Sequence, residues 1–282
     1  MWTFLSDLKE LAFLQYSLAA GLLSSIACGI VGSFVVVRRI TYIASGIAHC
    51  VLGGMGVARY CNVALGWTWL SPLMGAIISA IGAAFIIGFV TLRAREREDT
   101  VISALWAVGM AVGILFISQT PGYNEDVMSY LFGNILMVTK QDIWLIAALD
   151  VVVLILTGTF YNQLVAVCFD EEFARLRGLW VEFYYILLLV LTAVTVVLLV
   201  SVVGIVLMLA LLTLPVAIAS HFTKSLWRMM ILSVVLCATF TSSGLALSYE
   251  PDLPAGALTI VLAGLAYLIV SLAQIVVQRK PQ

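Results

Sequence analysis

The 282-residue chain is 63% hydrophobic and only 10% charged, with a formal net charge of −1. Soluble domains are about 45–50% apolar and about 25% charged, so this composition excludes a water-soluble fold and favours a polytopic membrane protein. The long apolar runs indicate helices rather than a β-barrel, whose strands would alternate. No basic region is present that would bind nucleic acid.

Nine apolar segments have about the length, roughly 17–25 residues, that a membrane-spanning helix requires. They cover residues 12–37, 41–60, 70–92, 101–118, 141–161, 183–203, 205–220, 229–248 and 255–277. The sequence therefore predicts an all-α polytopic membrane protein with about nine transmembrane helices, forming a single domain over residues 1–282. In the nearly unbroken run from Phe183 to Ala219, Gly204 and Pro215 are the obvious breaks, and we expect two helices that meet in a tight turn. The shorter segment 127–137 predicts an interfacial or re-entrant helix.

The distribution of lysine and arginine predicts the orientation, because cytoplasmic loops carry an excess of both. With the N-terminus outside and the C-terminus in the cytoplasm, most of the fourteen basic residues fall inside: Arg38, Arg39, Arg93, Arg95, Arg97, Arg175, Arg177, Lys224, Arg228, Arg279 and Lys280. Only Lys9, Arg59 and Lys140 fall outside. This bias supports both the orientation and the count of nine spans.

The longest predicted cytoplasmic connection, residues 162–182, contains the pattern of an amphipathic helix. Its apolar residues recur near helical spacing at Phe169, Phe173, Leu176 and Leu179, with charged residues between them. Gly178 is expected to end this helix. The helix could lie on lipid, but its mixed, partly acidic charge favours docking to a cytoplasmic partner, since lipid surfaces attract basic faces.

His49, one of only two histidines, lies in an apolar helix rich in small residues. An imidazole at the depth of the bilayer is costly to bury, and ionisable side chains there commonly mark a substrate pathway. The alternative is a packing histidine that is hydrogen-bonded to a backbone carbonyl. The small residues around it indicate either close helix packing or a pore lining. The other histidine, His221, is expected to be solvated at the cytoplasmic interface.

Acidic residues provide the remaining candidates. Asp150 lies inside a predicted span, where a carboxylate either touches the permeation path or caps or pairs within the bundle. Four acids on the predicted external loops are candidates for an external mouth that attracts cations or docks a binding protein: Glu125, Asp126, Glu250 and Asp252. Ordinary solvated loops are the alternative for these four.

Four blocks of the sequence resemble the permease subunits of ATP-binding-cassette importers for zinc, manganese or iron. The blocks are GSFVVVRRITYIASGIAHCVLGG (32–54), MSYLFGNILMVT (128–139), FDEEFARLRGL (169–179), and VGIVLMLALLTLPVAIA (203–219) together with DLPAGALTIVLAG (252–264). They look like the family's first-span exit and histidine-bearing second helix, its short helix after the fourth span, its cytoplasmic coupling loop, and its pore-side and final helices. The similarity runs essentially from end to end.

The resemblance implies a type II importer-like permease in a prokaryotic plasma (inner) membrane. It implies a homodimer or heterodimer with the translocation path on the dimer axis, two cytoplasmic ATPase subunits, an external substrate-binding protein and contact with membrane lipid. The coupling loop contributes Phe169, Asp170, Glu171, Glu172, Phe173, Ala174, Arg175, Leu176, Arg177 and Gly178. The chain has no G-x-x-x-x-G-K-[ST] phosphate loop, so it is expected to be a transport subunit rather than an enzyme, with ATP hydrolysed on a partner chain.

The resemblance also implies that His49 contacts the transported metal. In the family an Asp usually lies four residues before the histidine, and positions i and i+4 share one side of a helix. Here that residue is Ser45, a weak neutral ligand, so the expected site is weak, transient and permissive about the cation. A transported divalent metal ion is expected, with no tightly bound cofactor.

Three alternatives remain open. The missing Asp favours an importer permease of the same architecture that carries a metal chelate or another small solute. A proton-coupled secondary transporter acting through Asp150 and His49 predicts inverted repeats, which the sequence does not show convincingly. A membrane enzyme has no supporting motif.

Overall fold

A computed structural model describes residues 7–8, 10–93, 98–121, 138–251 and 253–278 of the chain. Every regular element within these residues is a helix. The helices are α1 (Ala12–Val37), α2 (Thr41–Ala64), α3 (Pro72–Arg93), α4 (Glu98–Ser118), α5 (Lys140–Thr159), α6 (Tyr161–Phe169), α7 (Glu171–Leu176), α8 (Val181–Val203), α9 (Ile205–Phe222), α10 (Leu226–Tyr249) and α11 (Ala255–Gln278). In the described part of the chain, nine helices, all except α6 and α7, are long and apolar enough to cross a membrane.

The predicted division of the apolar run 183–219 is confirmed. Gly204 separates α8 from α9 with a φ of 84°, a left-handed backbone that glycine adopts without steric cost. Pro215, the other possible break, lies inside α9 and does not end it. The short helix predicted at 127–137 lies outside the described residues.

The backbone around Pro215 shows how α9 accommodates a proline. Proline lacks the N–H that would bond the carbonyl oxygen four residues earlier, which here belongs to Leu211. The thiol of Cys237 in α10 donates a hydrogen bond to that oxygen at 3.3 Å. A neighbouring side chain therefore satisfies the acceptor that the proline leaves free, as a helix in lipid requires.

The described helices belong to two compact units. The first unit comprises described residues within 1–36, 132–153 and 202–282, and the second comprises those within 37–131 and 154–201. In the first unit, α1 packs against α9 and α10 at glycines: a Cβ atom at Gly32 would overlap the Leu212 carbonyl, and one at Gly29 would overlap the backbone of Val234. Small residues at these positions allow the close approach of helices that membrane proteins favour.

In the second unit, α2 lies against both α3 and α4 through the same kind of contact. A Cβ atom at Gly53 would overlap the carbonyl oxygen of Gly109 in α4, and one at Gly54 would overlap that of Gly75 in α3. These small residues of α2 therefore serve close helix packing, which was one of the two interpretations of the sequence.

Candidate functional site

His49 is the ninth of the 24 residues of α2 and is half-buried, with its ring against α4. The imidazole stacks on the indole of Trp106, with ring centroids 4.4 Å apart and an interplanar angle of 4°. Its Nδ1 atom is buried and has no hydrogen-bond partner among the described residues. The ring is therefore held in place by stacking, and Nδ1 makes no bond to a carbonyl of the kind that a packing histidine was expected to form.

His49 belongs to a group of aromatic side chains that could not be identified from the sequence. The Tyr42 ring meets the Trp106 ring edge-on at a centroid distance of 6.3 Å, and its hydroxyl shares a hydrogen bond with Ser103 Oγ at 2.6 Å. Trp106 Nε1 lies 3.3 Å from Met110 Sδ, to which it donates a hydrogen bond. The spacing of Tyr42 and His49 on one side of α2 is visible in the sequence, but nothing local identifies Trp106 as their partner.

Ser45 precedes His49 by one turn of α2 and is also half-buried. The two side chains therefore share one side of the helix. Within the described ranges, no group of three or more His, Cys, Asp and Glu side chains lies close enough to hold a metal ion. Among the described residues, this side of α2 thus presents an imidazole and a hydroxyl, which are fewer groups than a stable metal site uses.

A groove of about 470 Å³ lies beside the same helix, between α2, α3 and α4. Cys50 and Ser79 are the polar side chains in its lining, which is otherwise apolar and glycine-rich. The Cys50 thiol donates a hydrogen bond to the Leu105 carbonyl at 3.2 Å, so it is already engaged. The groove suits hydrocarbon and is a poor site for a hydrated cation.

Asp150 in α5 is only 4% exposed. The backbone of Ala27 and the thiol of Cys28, both in α1, lie beside its carboxyl group. Neither carboxyl oxygen forms a hydrogen bond of standard geometry within the described part of the chain. Asp150 is therefore enclosed within the first unit, and its role in a permeation path stays a prediction.

Of the acids predicted to form an external mouth, Glu125, Asp126 and Asp252 lie outside the described residues. Glu250 is exposed and directly follows the last residue of α10. The external mouth therefore stays a prediction.

The predicted coupling loop contains two short helices, α6 and α7, instead of one amphipathic helix. The chain is extended at Asp170, whose Oδ1 accepts a hydrogen bond from the Phe173 N–H at 2.9 Å and so caps α7. Phe169 belongs to the end of α6, and the prediction that it shares a helix with Phe173 is wrong. Aspartate followed by two glutamates is a typical helix start, so the sequence did contain the signal for this break.

The end of α7 agrees with the prediction at Gly178. Its φ of 76° is left-handed, and its N–H bonds the Arg175 carbonyl at 2.9 Å while the Leu179 N–H bonds the Ala174 carbonyl at 3.1 Å. This pair of bonds is a Schellman motif, which turns the chain sharply at the end of a helix. Ala174 is fully buried, so α7 packs against the protein on that side.

The outward side of the loop carries an apolar surface, the loop face, made of Phe169, Phe173, Leu176 and Trp180. Leu176 is 88% exposed and Trp180 is 78% exposed, and both phenylalanines are exposed as well. Charged residues lie among them, with Glu172, Arg175 and Arg177 exposed. Trp180 was not part of the helical pattern in the sequence because it follows the glycine that ends α7.

The sequence matches the model of the ABC 3 transport family over residues 10–274. It is 43% identical over 251 residues to a Chlamydia muridarum protein named "Probable metal transport system membrane protein", which covers 89% of this chain and 85% of that one. It is 33% identical over 267 residues to the manganese transport system membrane protein MntC of Listeria monocytogenes, covering 94% of this chain and 92% of the other.

Solved structures show the same fold. A chain of PsaBC from Streptococcus pneumoniae, solved in complex with an Fab, superposes with a TM-score of 0.83 at 31% identity, covering 95% of this chain and 94% of that one. An inward-facing metal-chelate type ABC transporter superposes with a TM-score of 0.70 over 92% of this chain and 86% of its own, and its 12% identity limits that likeness to the fold. The predicted all-helical architecture of an importer permease is confirmed.

Proposed function

The chain belongs to the ABC 3 transport family, and we propose that it is the permease of an importer that carries a divalent transition metal, either zinc, manganese or iron, into the cytoplasm. Two relatives whose names refer to transport of metal or of manganese support this substrate class. The membrane-embedded helices provide the path, and the energy comes from ATP hydrolysis on a separate subunit.

The observation that carries the proposal is the state of His49. His49 is the ninth of the 24 residues of α2, and its ring stacks on Trp106 and has no hydrogen-bond partner at Nδ1 among the described residues. Imidazole suits zinc and iron as a ligand, whereas manganese prefers carboxylate, carbonyl and water oxygens. A permeation site must bind weakly enough to release its ion, and one histidine with the hydroxyl of Ser45 meets that requirement.

A second permease copy, or a related permease, completes the site. The described residues of one chain hold no cluster of three metal ligands, so two copies of His49 facing each other across a dimer axis provide the imidazoles that one chain lacks. The external acids Glu125, Asp126, Glu250 and Asp252 are further candidates, at the external mouth of the path. Asp150 is enclosed within the first unit, and it would belong to the path only if its removal abolished uptake.

The loop face is the proposed contact with the cytoplasmic ATPase. Its exposed aromatic and aliphatic side chains form an apolar centre among charged residues, which is the composition of a protein interface rather than of a lipid-bound helix. This assignment places the N-terminus outside and the C-terminus in the cytoplasm of a prokaryotic plasma membrane. An external binding protein then delivers the metal to the opposite side.

Reconstitution of the purified permease with its ATPase tests the proposal. We expect the two proteins to co-purify, and the complex in vesicles to accumulate Mn²⁺, Zn²⁺ or Fe²⁺ only when ATP is supplied. Failure of any ATPase to associate, or absence of ATP-dependent uptake of all three ions, would contradict the proposal.

A metal chelate or another small solute is the second candidate substrate. Ser45 favours this candidate, because a site that lacks the carboxylate common in the family binds a bare cation less strongly. Uptake of a chelated metal at a higher rate than the free ion in the same vesicles would favour this candidate.

A further inference from the structure

Arg38 connects parts of the second unit that are far apart in the sequence. It follows the last residue of α1, and only Arg39 and Ile40 separate it from the first residue of α2, Thr41. Its side chain is only 20% exposed, although it belongs to a cluster of basic residues expected at the membrane surface. A guanidinium that is this buried must find partners within the protein.

The side chain of Arg38 has three such partners. One nitrogen donates a hydrogen bond to the Val167 carbonyl of α6 at 3.2 Å, and another forms an ion pair with Glu171 at the start of α7. The guanidinium carbon also lies 5.4 Å from the centroid of the Tyr185 ring in α8. Arg38 thus contacts both short helices of the coupling loop and the spanning helix that follows them.

A buried thiol lies in the same helix as one of these partners, since Cys168 is only 7% exposed. Burial raises the pKa of Cys168, which lies between Val167 and the end of α6, to about 12, while the positive charge of Arg38 acts in the opposite direction. The side chains of Arg38 and Glu171 are 20% and 34% exposed, so their ion pair is shielded less by solvent than a fully exposed pair.

The backbone next to Arg38 makes this contact a short link to the candidate metal site. Arg39 has a φ of 62°, which fixes a sharp turn, and α2 begins two residues later. His49 is eight residues beyond Thr41, about 12 Å along the helix at 1.5 Å per residue. Since α2 is packed tightly against α3 and α4 by glycines, a displacement at its start moves the helix as a body.

We propose that Arg38 is a positioning residue that transmits movement of the coupling loop to the helix that carries His49. The proposal rests on the proposed function and adds to it a specific connection between the ATPase contact and the ion path. When the ATPase moves the loop face, Val167 and Glu171 carry Arg38 with them, and α2 follows through the short segment that joins them.

Another ion pair in the same loop shows what a purely local contact looks like. Arg175 and Glu182 lie 2.8 Å apart, but each side chain is 53% exposed and both belong to the loop or to the first turn of α8. Exposed pairs of this kind contribute little to stability, and this one joins residues only seven positions apart in the chain. The contact made by Arg38 differs in two ways: its side chain is only 20% exposed, and it joins segments that are far apart in the sequence.

The test compares uptake with ATP consumption in the reconstituted permease–ATPase complex. We expect Arg38→Ala to co-purify with the ATPase and to hydrolyse ATP, while Mn²⁺ or Zn²⁺ uptake per ATP falls roughly three- to thirtyfold. Glu171→Gln, which keeps the other two contacts of Arg38, is expected to have a smaller effect in the same direction. The exchange of charges in R38E/E171R is expected to restore part of the ratio.

Arg39→Asn is the matched control, because it removes an adjacent, exposed arginine and asparagine tolerates the left-handed backbone. It should leave the ratio of uptake to hydrolysis unchanged. An unchanged ratio in both Arg38→Ala and Glu171→Gln, or loss of ATPase binding as their only defect, would overturn the role of Arg38. If the wild-type complex itself shows no uptake, the failure belongs to the proposed function.

Discussion

His49 and Asp150 are both ionisable side chains within spanning helices, but they differ in burial and in the side chains around them. His49 is half-buried, stacked on an indole and on the same side of its helix as Ser45, whereas Asp150 is almost completely enclosed without a hydrogen-bond partner among the described residues. Polarity at membrane depth therefore does not by itself identify an ion path. Access and the orientation imposed by neighbouring rings are what favour His49.

The largest effect on metal uptake is expected when the imidazole of His49 is removed. His49→Ala should lower metal uptake by about tenfold or more while leaving expression and ATPase association intact, because it removes the imidazole ligand. His221→Ala is the matched control, since His221 is exposed at the last turn of α9 and should not affect uptake. Normal uptake by His49→Ala would remove His49 from the path.

A carboxylate placed on the accessible side should strengthen the site. Ser45→Asp puts a charged oxygen ligand one turn before His49, and affinity for Mn²⁺ or Zn²⁺ should rise by about tenfold, because added ligand charge tightens divalent-ion binding. Competition between the two ions in equilibrium binding to the purified permease measures this change. Equal affinity in Ser45→Asp and the wild type would show that the two positions do not share an ion.

Loosening the ring of His49 should have an intermediate effect. Trp106→Ala removes the stacking partner and should reduce uptake roughly two- to tenfold, in line with the energy of an aromatic pair. Trp106→Phe keeps an aromatic face and should retain most of the activity. If both variants lose uptake equally, the indole acts through its N–H bond to Met110 instead of through stacking.

The enclosed group should matter least for uptake and more for stability. Asp150→Leu removes a buried carboxyl group whose oxygens form no hydrogen bond of standard geometry among the described residues, so the free energy of unfolding should rise by about 1–3 kcal/mol. Asp150→Asn, which keeps the shape and a polar group, should change stability less, and both variants should transport. Thermal unfolding in detergent and uptake in vesicles measure the two quantities. A folded Asp150→Asn that does not transport would place Asp150 in the path after all.

Much of the fold was predictable because the bilayer imposes simple rules on length and polarity. The nine spans predicted from apolar segments agree with the helices to within a few residues, and the turn at Gly204 follows from the only glycine in a long apolar run. Composition alone is sufficient for these features, since a helix in lipid must satisfy its own backbone.

The contacts between helices could not be predicted in this way. Three such contacts join residues that are far apart in the sequence. They are the stacking of His49 on Trp106, the hydrogen bond from the Cys237 thiol to the Leu211 carbonyl, and the contacts of Arg38 with the coupling loop. Helical spacing indicates which residues share a face but not which helix that face meets. The break at Asp170 is different, because its capping signal was present and the apolar periodicity concealed it.

The glycine contacts of α2 also restrict how this transporter can change its substrate. Any side chain added at Gly53 or Gly54 would collide with a neighbouring backbone, so substitutions there carry the cost of moving whole helices. Ser45 and His49 already carry side chains and are half-buried, so a substitution there exchanges one side chain for another. Under the proposed function, new ion preferences are therefore easiest to obtain at Ser45 and His49, and a library of variants that covers both is small enough to screen completely.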